Sequence, residues 1–140
     1  MQRKLMIKDE KTAVVAIVVY EQKVLLLERN NPPYNWCPPC GRVCVGETLE
    51  EGLLREVKEE TSLPVDILKY VSLWNGSYSS HEIRSFVFVC RAKTDKVVLS
   101  DEHSDYCWIE IKKLYQWRDR TDFDLTMWPQ WIFSSEIELL

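Results

Sequence analysis

The segment Thr48–Leu63, TLEEGLLREVKEETSL, constrains this chain more than any other stretch, because capping and periodicity agree on one local structure. Thr48 is a favoured helix N-cap, and Glu51 three residues later completes a capping box. Leu49, Leu53 and Val57 recur every four residues with Leu54 beside them, so one stripe should face a core. The same phase brings Glu56, Glu59 and Glu60 onto a neighbouring face, at i, i+3 and i+4. Like charges at that spacing destabilise a bare helix by roughly 0.2–0.5 kcal/mol per pair. A solvated acidic face is one reading. The other is a hard divalent cation, since magnesium takes oxygen ligands, keeps several waters and is completed by substrate phosphates.

Upstream context favours the cation. Arg55 lies one turn before Glu59 and can also reach back to Glu47, fixing a carboxylate through a bidentate, charge-assisted contact. Gly41 and Gly46 bracket a loop whose backbone can approach a ligand or metal closely. Gly41 to Leu63 therefore reads as a site for magnesium and a diphosphate.

These residues resemble the signature of the Nudix hydrolase family, Gx5Ex7REUxEExGU with U aliphatic. Gly41, Glu47, Arg55, Glu56, Val57, Glu59, Glu60 and Leu63 fall in register, and Ser62 replaces the second glycine. Trp36, Pro39 and Gly41 are similar to the family's entry to this box, and the likeness extends from Thr12 to about Leu114. It implies a MutT-type enzyme in which water attacks the diphosphate bridge of a nucleotide. By that resemblance Glu56, Glu59 and Glu60 hold magnesium, with manganese as a substitute and the Gly41 carbonyl as an additional ligand. Glu47 and Arg55 fix the geometry, Glu59 is the first candidate for the base, and Glu102 in the late acidic loop is the second. Cys44 stands where many members carry another glutamate, and Ser62 should sit at the helix C-terminus in a conformation that favours glycine, at a cost near ~1 kcal/mol.

The remaining elements order themselves around this helix. Val14–Tyr20 and Val24–Leu27 read as a hairpin across the turn Glu21-Gln22-Lys23, and Val65–Trp74 and Ser85–Arg91 as strands joined by a polar Asn75–His81 hairpin region. Asn30–Pro39 reads as a loop because its prolines remove backbone donors. Ile111–Trp117 begins a helix, Trp128–Ile137 forms another or packs as a terminal segment, and Met1–Lys11 is a polar lead-in or an added edge strand. One domain spanning residues 1–140 is expected, of α+β class, with a mixed β-sheet between helices as an α/β/α sandwich.

Substrate contacts are assigned by residue chemistry. Arg29 and Arg84, at strand ends, suit phosphate through the planar guanidinium fork, or are surface charges. Trp36, Tyr34, Trp74 and Tyr78 suit base stacking or rim packing, whereas Trp108 in CWIEI packs. His81 reads as a solvated loop histidine that could touch substrate, and His103 as a surface or hydrogen-bonding residue more readily than as a base.

Cys37-Pro38-Pro39-Cys40 is formally a CxxC, but a redox motif calls for a strand-to-helix junction and a zinc site for two more ligands. Cys90 and Cys107 suit a core. An odd count of five cysteines with no signal peptide points to the cytoplasm. A net charge of −4 without a basic cluster argues against general nucleic-acid binding, and no apolar run approaches the ~20 residues that cross a bilayer. The expected activity is conversion of nucleoside triphosphates, oxidised ones included, to monophosphate and diphosphate, by a monomer or homodimer. Hydrolysis of ADP-ribose or nucleotide sugars, or non-catalytic nucleotide binding, are the alternatives.

Overall fold

A computed structural model describes residues 11–78 and 81–134, apart from the side chains of residues 77, 78 and 81. The chain runs through β1 (Thr12–Tyr20), β2 (Lys23–Arg29), β3 (Trp36–Cys37), β4 (Cys40–Arg42), α1 (Leu49–Thr61), β5 (Val65–Tyr78), β6 (His81–Ala92) and β7 (His103–Glu110). A 3₁₀ helix (Ile111–Arg120) and α2 (Trp128–Phe133) follow.

The β1 sequence TAVVAIVVY shows no polar alternation because both faces of the strand are covered. Val14, Ala16 and Val18 join Leu25 and Leu27 of β2 in one core, closed by Leu53 and Val57 of α1. Ile17 and Val19 join Val24 and Leu26 in a second core, closed by Leu114, Leu125, Trp128 and Ile132. The mixed sheet thus lies between helical layers. β1 runs parallel to β6 from Thr12↔Arg84 to Val19↔Arg91, and antiparallel to β4 at its start and to β2 at its end. β5 pairs with the outer side of β6, and β7 with β2.

Several expectations are refined. Glu21 and Gln22 alone make the first turn, at φ 46° and 65°, matching the twist of a tight hairpin. Lys23 already belongs to β2. The polar Asn75–His81 region is largely strand, since pairing continues through Asn75↔Arg84 to Tyr78↔His81; an edge hairpin tolerates polar residues on its solvated side. The proline-rich loop contains β3, paired through Leu27↔Cys37. Ile111–Arg120 coils as a 3₁₀ helix rather than an α-helix. Leu54 is 41% exposed and lies outside the core stripe. The readings of Met1–Glu10 and of Ile137 fall outside the described residues.

Local chemistry sets both ends of α1. The Thr48 hydroxyl accepts from the Glu51 amide at 3.1 Å, and the Thr48 amide donates to Glu51 Oε1 at 2.9 Å, the capping box expected from sequence. Ser62 takes the left-handed conformation, φ 63° and ψ 12°, and its hydroxyl donates to the Val98 carbonyl at 3.2 Å. Ser62→Gly should raise stability by about 0.5–1 kcal/mol as the side-chain strain is relieved. Urea unfolding checks this; a clear loss of stability would show that the Val98 hydrogen bond outweighs the strain.

Candidate active site

The site is assembled where β4 and the β4–α1 loop meet the second and third turns of α1. Gly46 turns the loop at φ 92°, and the Cys44 amide donates to Glu47 Oε1 at 2.8 Å. Arg55 grips the same carboxylate as a fork, Nε to Oε2 at 2.6 Å and Nη2 to Oε1 at 3.0 Å. Its Nη1 donates to Glu56 at 2.9 Å and to Glu59 at 3.0 Å, while Nη2 also reaches the Arg42 carbonyl at 3.0 Å. One guanidinium therefore compensates the acidic face and ties helix, loop and β4 together. The pairing with Arg55 holds the Glu47 carboxyl below the usual range, and Glu47 in turn raises Arg55.

Glu60 occupies a different environment. It is 3% exposed and accepts from the Cys40 amide at 3.2 Å, with Glu56 close enough to act on it. Burial pushes its carboxyl up to about 10, with Cys40 and Glu56 adding to the rise. Removal from water disfavours the charged form of such a carboxyl. Gly41 completes the contact, because a Cβ there would overlap the Glu56 carboxylate.

Gly52 is a positioning residue the sequence reading missed. It is buried in α1, and a Cβ would stand 3.0 Å and 3.1 Å from the Val43 methyl groups and 3.3 Å from Glu47 Oε1. Its signal was available: glycine inside a helix costs ~1 kcal/mol against alanine and asks for a packing reason.

The late loop sits at the end of β2. The Asn30 amide donates to the Glu102 carbonyl at 3.0 Å, which seats the loop on the end of β2, with the Glu102 side chain exposed. Arg29 is half-buried, donates to the Pro33 carbonyl at 3.2 Å, and lies close enough to influence both Cys40 and His103. His103 is buried rather than on the surface; its Nε2 is 3.8 Å from Cys37 Sγ, and its Nδ1 has no partner among the described residues. Burial lowers its pKa.

The other sequence candidates lie apart from this cluster. Arg84 is exposed and hydrogen-bonds Thr12 Oγ1 at 3.3 Å, on the strand beyond β1. Trp74, 58% exposed on edge strand β5, lies over Gly76. Its row, Trp74–Ser85–Ala13–Arg42, puts it three strands from β4 at about 4.8 Å each. Trp36 is half-buried and packs edge-on against Trp117 at 5.1 Å and 86°, while Tyr34 is 71% exposed. The side chains of Tyr78 and His81 fall outside the described residues. A cavity of about 870 Å³, lined by Leu114, Arg118, Phe123, Leu125 and Phe133, opens beside the 3₁₀ helix, on the layer away from α1. It contains none of the acidic residues of α1. Among the described residues, no three His, Cys, Asp or Glu side chains form a ready-made metal cage.

Comparison with known proteins decides the family. The family profile described as NUDIX domain matches residues 10–129. The chain belongs to the Nudix family. This Nudix chain is 34% identical over 110 residues to a protein of Methanocaldococcus jannaschii named ADP-ribose pyrophosphatase, covering 73% of the chain and 63% of that relative. It thus spans less than two thirds of the relative's length. A crystal structure of a MutT protein from Methanosarcina mazei Go1 superposes with a TM-score of 0.75 at 27% identity, over 88% of this chain and 93% of that one. A C. elegans Ap4A hydrolase binary complex shares the fold at TM-score 0.75 and 22% identity, over 86% and 96% of the two chains. The Nudix sandwich expected from the sequence is therefore the fold observed, and among the described residues no helix is long and apolar enough to cross a membrane.

The Glu47–Arg55 fork has a pH signature. Glu47 is depressed below its unfolded value of 4.5, so its contribution is present above that value and is lost as pH falls through the lower folded value. The stability advantage of the wild type over Glu47→Gln should therefore be largest near neutrality and shrink below about pH 4.5. Urea midpoints across pH 3–7 report it; an advantage that grows in acid would contradict the pairing.

Proposed function

We propose that this Nudix chain is a divalent-metal-dependent pyrophosphohydrolase that cleaves nucleoside triphosphates, oxidised ones included, to nucleoside monophosphate and diphosphate. The observation that carries the reading is the Glu56–Glu60 pair, held in contact beneath the Cys40 amide with Gly41 leaving room beside it.

The donor set fits a small hard cation. Burial favours the neutral form of Glu60, a cation beside it supplies the charge that lets the carboxylate form persist, and magnesium needs only one or two carboxylates with the remainder from water and phosphate. Glu56, Glu59, Glu60 and the Gly41 carbonyl are the ligands proposed for magnesium or manganese. When bound, such an ion neutralises phosphate oxygens and lowers the pKa of water.

The chain's own residues supply the rest. Arg55 holds Glu47, Glu56 and Glu59 in fixed rotamers, so the carboxylates meet a substrate without reorganising. Glu59 is half exposed and, with one oxygen on Arg55, is the proposed base for the attacking water. Glu102, exposed on the late loop, is the second candidate. Arg29 lies on the Cys40 side and suits a phosphate oxygen; Arg84, Trp74 and Trp36 are the further proposed substrate contacts.

ADP-ribose is the second reading, favoured by the name of the 34% identical relative. Release of phosphate and diphosphate from nucleoside triphosphates, oxidised triphosphates, ADP-ribose and nucleotide sugars, with magnesium, manganese or chelator, distinguishes the substrates. Turnover that survives chelation would overturn the metal-dependent reading. A folded protein inert towards the whole panel would favour nucleotide binding without catalysis. Glu59→Gln should cut turnover at least a hundredfold with unfolding midpoints unchanged, since the residue is exposed and outside the core. Near-normal turnover in that variant would remove Glu59 from the base position.

A further inference from the structure

Across the β2–β7 ladder the register runs Leu27↔Tyr106, Glu28↔Asp105 and then Arg29↔His103, so Ser104 is an extra residue bulged out of β7. Further along β7, Cys107 and Ile109 face the second core. Unbroken alternation would send His103 to that same side. The bulge instead sets it opposite Arg29, which alternates with Leu25 and Leu27 on the side closed by α1. Cys37 pairs with Leu27 there, and His103 Nε2 stands 3.8 Å from its sulfur. Ser104 and Asp105 remain exposed while His103 is 9% exposed.

We propose, on the pyrophosphohydrolase reading above, that His103 is a positioning residue: turned to the α1 side by the bulge at Ser104, its imidazole braces Arg29 where that guanidinium meets the phosphates of a nucleotide. Bulges beside a site characteristically re-aim one side chain. A leucine of similar volume would pack against Cys37 without burying a polar atom, whereas His103 Nδ1 is buried and has no partner among the described residues. A buried polar group kept at such a cost signals a role beyond filling space.

The surrounding backbone explains why the effect runs through Arg29. The Arg29 amide donates to the Asn35 carbonyl at 2.9 Å and its Nε to the Pro33 carbonyl at 3.2 Å. The next residue, Asn30, holds the carbonyls of Glu102 and Asp101 at 3.0 Å and 3.1 Å. The proline-rich loop and the late loop thus both hang on the end of β2, and His103 is paired to that end from the neighbouring strand. The groups that face the imidazole are Arg29 from β2, Cys37 from β3 and Glu102 beside it in the chain. Burial favours the neutral ring, with Arg29 acting in the same sense and Glu102 against it. A neutral ring can lie against a guanidinium; an imidazolium there would push it away.

Steady-state kinetics on the full chain, with magnesium and each nucleotide of the panel above, compare wild type with His103→Leu, His103→Gln, Arg29→Ala and the double variant combining Arg29→Ala with His103→Leu. KM should rise at least fivefold in His103→Leu with kcat within twofold of wild type. His103→Gln should recover most of the loss, because its amide reaches the place of Nε2. In the Arg29→Ala background His103→Leu should add less than twofold, since the group it acts through is gone. Independent losses that multiply in the double variant, or a fall confined to kcat, would overturn the proposal. The imidazole NMR signals give a readout that needs neither turnover nor a folded His103→Leu. The chain has two histidines, so His81→Gln assigns them. The His103 signal should titrate below the ordinary value of 6.5 and move upward in Arg29→Ala. A titration indifferent to Arg29 would also overturn the proposal. Turnover of no nucleotide in the panel, with the imidazole still answering to Arg29, would count against the substrate reading and support the brace.

Discussion

Arg55 is the contact on which the rest of the site depends. Without it, Glu47, Glu56 and Glu59 would be close carboxylates on a loop and a helix face, each better solvated apart. With it, repulsion becomes a lattice of charge-assisted hydrogen bonds reaching from the β4 backbone to the third turn of α1. The burial of Glu60 becomes intelligible beside this lattice. Glu56 is turned towards Arg55 by one oxygen, and the Cys40 amide satisfies Glu60 where water cannot reach it.

The support for that arrangement is the doubly covered β1–β2 hairpin. Its alternating side chains divide between two cores, so α1 is positioned by Leu53 and Val57 on one side while the sheet is backed by Leu114, Trp128 and Ile132 on the other. The Cys40–Val15 and Gly41–Val14 pairings carry this rigidity into β4, placing its backbone beneath the carboxylates. No side chain of β4 needs to be acidic for the strand to take part. Its amide and its missing Cβ are what matter.

Much of this was legible in the sequence because it rests on local spacing. Thr48 and Glu51 announced the cap, the four-residue recurrence of Leu49, Leu53 and Val57 announced the packed face, and Arg55 sits one turn from its partner. Contacts between distant segments were not legible in the same way. Nothing near His103 in the sequence discloses Cys37, and the edge-on packing of Trp36 on Trp117 depends on a tertiary approach no periodicity encodes. The polar residues after Trp74 marked a hairpin, but composition could not register how far its strand pairing continues, since that pairing is satisfied through the backbone. The 3₁₀ coil of Ile111–Arg120 likewise follows from how Ile111 and Leu114 meet the second core, not from propensity.

The partition into two cores also separates tolerance from constraint. Side chains facing α1 share a wall with the carboxylates, so a methylene gained or lost there is transmitted to the lattice around Arg55. Those facing the 3₁₀ helix and α2 border the large cavity and reach the acidic cluster only through the sheet. Substitutions in the second layer are thus buffered from the acidic cluster by the thickness of the sheet, whereas those in the first act on it directly.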